Sequence, residues 1–247
     1  MKCEMAVVKL GGGAITRKSV PETVDEENLQ AIAQALARFK ARDGKVALVH
    51  GGGSFGHYAV SQILTERGRL LPQDSSAVQL SMLKLSIHVL RALQSHRLYP
   101  TLHPPHSLCL SPSLESCSFA PLARDISLGL LPVTYGDALP DGGSTRIVSG
   151  DDLTAKAAEA LGADCAIYVI REEGVLDENG NVMRTLSSLQ EVKTLRREGF
   201  DVTGGIVKKV ESALLASKKV QNVRIVGVSA LLDALVGNEV GTRVVQR

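Results

Sequence analysis

Two stretches of the chain carry residues suited to handling an anion. Lys9 lies near the end of the apolar run Met5–Leu10, directly ahead of Gly11-Gly12-Gly13. A second apolar run, Val46–Val49, empties through His50 into Gly51-Gly52-Gly53, and Ser54-Phe55-Gly56-His57 closes that loop. Glycines leave main-chain N–H groups uncovered, so a phosphate can come against the backbone itself. A helix expected to begin at about Gly56 adds the attraction of its N-terminal dipole. A lysine at the end of a buried strand either extends into solvent or holds a cation over a phosphate; the glycines that follow Lys9 favour the second role. Lys18, in a polar loop, reads on its own as a surface lysine. Lys208-Lys209 is a further source of positive charge.

The elements that must position these groups follow from periodicity. Leu29, Ile32, Ala33, Leu36 and Phe39 predict an amphipathic helix over Asp25–Arg42. Leu80, Leu83, Leu85, Ile87, Leu90 and Leu93 predict a longer one over Ser75–Arg97. Pro100–Phe119, rich in Pro, Ser, Cys and His, reads as irregular strands and a flexible flap. A short helix near Pro121–Leu128 and a strand over Leu130–Tyr135 lead to Gly136-Asp137, and Asp141-Gly142-Gly143 marks a hairpin. Ser149 with Asp152 resembles a capping box opening a helix over Leu153–Leu161. Ala163–Ile170 is a buried strand, Glu178–Asn181 a turn, and about Ile206–Val220 a helix. A strand at Val223–Val226, a short helix near Ala230–Val236 and a strand at Thr242–Val245 close the chain. Strands alternating with helices predict an α/β fold: a mostly parallel sheet covered on both faces, hence an αβα sandwich in three layers. In such sheets ligands bind beyond the carboxyl ends of the strands, where Lys9, both glycine loops, Asp137 and Arg171 all fall.

Composition narrows the function. The formal charge of +2 and the absence of a Lys/Arg run argue against nucleic acid, and 3% aromatic residues leave no stacking platform. No apolar run reaches the roughly 18 residues that span a bilayer, and the start of the chain shows no signal-peptide pattern, so a cytoplasmic protein is expected. The four cysteines form no Cys-x-x-Cys; Cys165 reads as a small buried side chain, and disulfides are not expected. The spacing of His103, His106, Cys109 and Cys117 invites a zinc reading, but it is irregular and interrupted by prolines, so no protein metal site is assigned.

Gly51-x-Gly53-x-x-Gly56 also matches a dinucleotide fingerprint. That reading lacks an acid closing the next strand and gives the Lys9 loop no role. A P-loop motif is absent. Two glycine loops side by side, with lysines from Lys9 and Lys208-Lys209, instead suit a nucleoside triphosphate facing an anionic acceptor.

Here the sequence resembles the amino-acid kinase superfamily over nearly its whole length. The resemblance rests on Lys9-Leu-Gly-Gly-Gly, His50-Gly-Gly-Gly-Ser-Phe-Gly-His57, Tyr135-Gly-Asp137, Ser149-Gly-Asp-Asp152 and Asp201-Val-Thr-Gly-Gly-Ile-Val-Lys-Lys209. The Phe-Gly-His closure and the Asp-Val-Thr-Gly-Gly run are similar to the isopentenyl phosphate kinases, and more distantly to the fosfomycin kinases. The resemblance implies a single domain over 1–247, with the acceptor side at about 1–150 and the nucleotide side at about 151–247. It further implies Mg-ATP as phosphoryl donor, a small phosphomonoester as acceptor, and a homodimer. Lys9 and Lys209 would contact the ATP phosphates and the transferring group, with Lys18 assisting. Gly11, Gly12, Gly13, Gly204, Gly205 and Lys208 would line the nucleotide. Gly52 and His57 would bind the acceptor phosphate, Gly53 would lie between the two substrates, and Gly150 would line the acceptor pocket. Ile63, Leu80, Leu83 and Ile87 are apolar candidates for the acceptor's tail.

Two positions depart from the superfamily pattern. Gly13 stands where a serine is usual, and Arg171 replaces the first acid of Thr-Asp-x-Asp-Gly, which reads Ile170-Arg171-Glu172-Glu173-Gly174 here. Arg171 is expected to reach ATP through a phosphate. A catalytically silent nucleotide or metabolite sensor on the same fold remains an alternative.

Overall fold

The computed structural model describes residues 1–17, 19–192 and 204–246. β1 (Met5–Leu10) is flanked in parallel by β2 (Lys45–His50) and β7 (Cys165–Ile170). Beyond β2 lie β4 (Leu131–Tyr135) and β3 (Pro100–Leu102); beyond β7 lie β9 (Asn222–Gly227), β10 (Thr242–Val244) and β8 (Thr185–Leu186). All these pairings are parallel except β9 with β10. β5 (Asp137–Asp141) and β6 (Ser144–Val148) form the expected hairpin, with Gly142 at φ 58° in its turn.

Strand alternation distributes the core between two layers. Ala6, Val8 and Leu10 pack with α2 (Glu26–Lys40), α4 (Asp74–Ser95) and α9 (Leu231–Val236). Val7, on the opposite face, packs with α6 (Ala120–Ser127), α7 (Gly150–Ala160) and α8 (Gly204–Ala216). The same alternation sends Lys9 to the face of Val7, toward α7. His50 shares the face of Val46 and Leu48, toward α4. The sheet therefore sorts the two loop-stem residues, Lys9 and His50, to opposite sides before any loop is formed.

Several local expectations need correction. α3 (Gly53–Arg67) starts at Gly53 rather than near Gly56. Glycines favour a loop by propensity, but the Ser54 N–H donates to Thr16 Oγ1 at 2.9 Å, a cap supplied from another element. α8 likewise starts at Gly204, ahead of Ile206.

The segment after Pro100 is laced down. It contributes β3 and the single turn α5 (Pro105–Leu108), and buries Leu108 and Phe119. Two disulfides overturn the reading of free thiols: Cys3 joins Cys165 and Cys109 joins Cys117. The first pair is 162 residues apart in sequence, a separation without signal, yet neighbouring strands bring the two Cα atoms to 5.7 Å. The second pair also removes the thiols that a zinc site would need. Among the described residues, no helix is long and apolar enough to cross a membrane.

Candidate active site: two glycine loops and a lysine pair

The two glycine loops meet back to back at the carboxyl ends of β1 and β2. Gly11 N–H donates to Val169 O at 2.8 Å, and Gly51 N–H donates to Leu10 O at 2.9 Å, so each loop continues a sheet ladder. A side chain on Gly12 would collide with the backbone of Gly53. Gly53 itself adopts φ 48°, and a side chain there would strike Thr16. Thr16 fastens the pair: its hydroxyl donates to Gly12 O at 2.7 Å while accepting from Ser54 N–H. Helix geometry leaves the Gly12, Gly13 and Gly53 N–H groups without acceptors inside their own helices. α1 (Gly12–Ile15) and α3 thus begin side by side, as an anion cradle requires.

Charge is placed beneath this junction. Lys9 is 2% exposed, and its Nζ lies 2.6 Å from Asp151 Oδ1. The other Asp151 oxygen lies 3.7 Å from Lys209 Nζ. One carboxylate therefore holds lysines from β1 and α8 together. Burial pushes the Lys9 ammonium down to about 8, against the Asp151 carboxylate that raises it; the Lys209 charge lowers it further. Burial pushes the Asp151 carboxyl up, but Lys9 and Lys209 outweigh it and hold the group below the usual carboxylate range. Asp151 is itself fixed, because the Ser212 hydroxyl of α8 donates to its backbone carbonyl.

The second glycine loop has a different setting. His50, at its stem, is buried, stacks on Tyr135 at 5.2 Å between ring centroids, and lies 3.0 Å from Ser86 Oγ of α4. Burial pushes its imidazole down to about 4; the Gly51 carbonyl opposes this and the Lys9 charge adds to it. The His50 carbonyl accepts from Gly136 N–H at 3.0 Å, and a Cβ on Gly150 would lie 3.0 Å from that same oxygen. Past Gly52 and Gly56 stands Met82, whose sulfur would meet a Cβ on Gly52 at 3.2 Å. Val78, Met82, Tyr135 and Ala138 form a small apolar cluster there, with Ala59, Val60, Ile63 and Leu102 against it.

The structure thus gathers Lys9, Gly11, Gly12, Gly51, Gly53 and Lys209, and packs Gly150 beside the second loop. His57 is exposed in the second turn of α3. Lys208 turns aside to Asp152 at 2.9 Å. Gly204 and Gly205 open α8, and Lys209 Nζ donates to Gly205 O at 3.3 Å. Arg171, at the end of β7, donates from Nε to Gly13 O at 3.1 Å and from its terminal nitrogen to Thr16 O at 3.3 Å. Its guanidinium therefore braces the first loop. Leu80, Leu83 and Ile87 are exposed, so of the proposed tail-contacting residues Ile63 alone joins the apolar cluster. Lys18 and Asp201–Thr203 lie outside the described residues.

Asp151 was hidden in the sequence by its role at a helix start. Ser149 Oγ does accept from Asp151 N–H at 3.2 Å, but Asp152 pairs with Lys208 instead of closing a capping box. The available signal was the place of Asp151 in Ser149-Gly150-Asp151-Asp152, one of the motifs that carry the family resemblance.

The amino acid kinase family model matches residues 4–227. The chain belongs to the amino acid kinase family. Within that family it is 32% identical to an isopentenyl phosphate kinase of Thermoplasma acidophilum, over 88% of this chain and 89% of that protein. It is 34% identical to an isopentenyl phosphate kinase of Haloferax volcanii, over 85% of this chain and 87% of that protein. A crystal structure of the T. acidophilum enzyme in a product complex superposes with a TM-score of 0.76 and 28% identity, covering 97% of this chain and 99% of that one. These relatives share the mostly parallel sheet of the amino acid kinase fold.

Proposed function

We propose that this kinase transfers the γ-phosphoryl group of Mg-ATP to a phosphate oxygen of isopentenyl phosphate, giving isopentenyl diphosphate and ADP. The observation that carries this reading is the Lys9–Asp151–Lys209 array beneath two fused glycine loops. The names of the related enzymes supply the acceptor's identity.

The chemistry needs little from the protein beyond placement and charge. A phosphomonoester's second pKa is about 6, so its attacking oxygen is anionic at neutral pH and no general base is required. The obstacle is mutual repulsion of two polyanions. Lys9 and Lys209 would neutralise the transferring phosphoryl group, and loop N–H groups would fix the donor and acceptor oxygens in line. Asp151 holds the two lysines together beneath the junction.

Magnesium would enter with ATP and offset the charge of its phosphates. Both Asp151 oxygens face lysines, which fits a metal brought in by the nucleotide. Among the described residues no group of three or more His, Cys, Asp or Glu side chains is gathered to hold a metal.

The remaining assignments belong to the same proposal. His57 and Gly52 would bind the acceptor phosphate, and Gly150 with the Val78–Met82 face of α4 would line its pocket. An isopentenyl tail is small, branched and apolar, as that cluster is. Gly11–Gly13, Gly204, Gly205 and Lys208 would line the nucleotide, with Gly53 between the substrates and Lys18 assisting. Arg171 would act on ATP through the first loop it braces. We take the reaction to run in the cytoplasm, where ATP is supplied, and the family resemblance suggests a homodimer, which light scattering would test.

The function is tested by ranking acceptors. With Mg-ATP, kcat/KM for isopentenyl phosphate should exceed that for dimethylallyl phosphate, fosfomycin and N-acetylglutamate. Preference for fosfomycin or the carboxylate would reject the acceptor while leaving the fold and chemistry in place.

A further inference from the structure

Asp137 is the first residue of β5 and lies one residue beyond Gly136, which touches both the second glycine loop and α7. It is 1% exposed. Its Oδ1 accepts from the Ala138 N–H at 2.9 Å, whereas Oδ2 has no hydrogen bond among the described residues. A buried carboxylate oxygen without a partner is costly, so something must compensate it. The group that faces it is His106 of α5, with Nδ1 at 3.6 Å from Oδ2, a charge contact longer than a hydrogen bond. Burial pushes the Asp137 carboxyl up to about 6, and the Ala138 N–H and His106 oppose that rise.

His106 belongs to the segment that loops out between β3 and α6. That segment is tied at its other points to the frame of the fold. His103 Nε2 lies 2.8 Å from Asp125 Oδ2 in α6, and Glu115 pairs with Lys156 of α7 at 3.0 Å. The Cys109–Cys117 disulfide closes the loop on itself. The His106 contact differs from these, because it reaches β5, whose next residue, Ala138, turns to the opposite face and joins the apolar cluster with Val78 and Met82. The residues flanking Asp137 include Tyr135 and Ala138, both in the apolar cluster with Val78 and Met82.

We propose that His106 is a positioning residue for the acceptor: by meeting the buried Asp137 carboxylate it latches the 103–117 segment to the start of β5 and fixes one wall of the acceptor pocket. The inference rests on the kinase reading above. It assigns His106 no contact with substrate and no part in phosphoryl transfer. His106 is half exposed, so its replacement leaves the core intact.

The test is a split between two Michaelis constants. His106→Ala should raise the KM for isopentenyl phosphate by about fivefold, on the scale of a partly exposed ion pair, and leave the KM for ATP unchanged. His106→Asn, which keeps a donor near Oδ2, should recover most of the loss. Asp137→Ala should match His106→Ala, and the double variant should be no worse than either single one. Equal changes in both Michaelis constants, no change in either, or additive losses in the double variant would overturn the proposal. Hydrogen exchange over residues 103–117 needs no substrate and separates the two failures. Faster exchange in His106→Ala, with wild-type protein inactive on isopentenyl phosphate, would sink the kinase reading and keep the latch. Unchanged exchange would remove the latch whatever the assay shows.

Discussion

The two glycine loops look alike in sequence and are built differently. The first is held on all sides: Gly11 is bonded to β7, Gly13 and Thr16 are braced by Arg171, and Lys9 is clamped beneath it by Asp151. The second is anchored at its stem and leads into α3, where His57 and Tyr58 are exposed. Its far wall is built from side chains of α3, α4 and β5 instead of main chain. The contrast suits the division of labour proposed here. A triphosphate donor presents only phosphates to such a loop and can be met by rigid backbone and buried charge. An acceptor's tail varies, and side chains on helices can change without disturbing the sheet.

If the first loop's side of the site carries the transfer charge, the two lysines paired beneath it should matter most. Lys9→Ala and Lys209→Ala should each lower kcat by at least about a hundredfold, the scale for losing one preorganised charge at a transition state. Steady-state assays of the folded variants give the answer, and intact turnover in both would dissolve the distinction between the loops.

The loop stems differ in titration. Unfolding restores the His50 imidazole from about 4 toward its ordinary 6.5. Between those values the unfolded chain takes up a proton that the native protein refuses, so stability is lost as pH falls from about 6.5 to about 4. The loss should approach about 3 kcal/mol, from the size of the shift. Urea melts across that range measure it, and His50→Phe should flatten the slope. The first loop's stem residue, Lys9, is lowered only to about 8 and so adds nothing across that acid range.

His57→Ala sharpens the comparison from the acceptor side. It should weaken phosphomonoester acceptors by roughly 1.5–3 kcal/mol, the value of a hydrogen bond to a charged group, with ATP binding unaffected. Calorimetric titration of both ligands against the variant would show whether the loss crosses to the nucleotide.

A smaller effect is expected at Asp151, where both lysines remain. Asp151→Asn should lower kcat by about tenfold and move the alkaline limb of the pH profile. In the wild type, kcat/KM for ATP should fall as pH rises through about 8, as Lys9 loses its proton. The Asp151 carboxylate raises that pKa, so without it the limb should move to lower pH. A limb unmoved in the variant would mean that Lys9 does not set it.

Much of this was legible in the sequence because it follows from periodicity. The buried strands announced themselves as apolar runs, and alternation along β1 sends Lys9 toward α7. Glycine runs marked where an anion could come against the main chain, and the structure adds the close approach of Gly12 to Gly53. What escaped was long-range. Asp151 looked like a helix-start residue because it is one; its second role appears once α8 brings Lys209 beside β1. Arg171 was expected to face a phosphate, yet it braces Gly13 and Thr16, a contact set by how the end of β7 meets the first loop. Leu80, Leu83 and Ile87 share a helical period with the core, but the face of α4 that packs inward is the one carrying Val78, Met82, Leu85 and Val89. The two disulfides join residues whose proximity is created by strand order and by a loop, neither of which spacing reveals.

The central claim is that phosphate is transferred to phosphate at the meeting point of the two loops. Phosphorus NMR of wild-type protein with Mg-ATP and isopentenyl phosphate tests it most directly. Two coupled diphosphate resonances should grow in step with ADP, and Lys9→Ala should suppress both. Release of the γ-phosphate as inorganic phosphate, with the monophosphate resonance unchanged, would contradict the account.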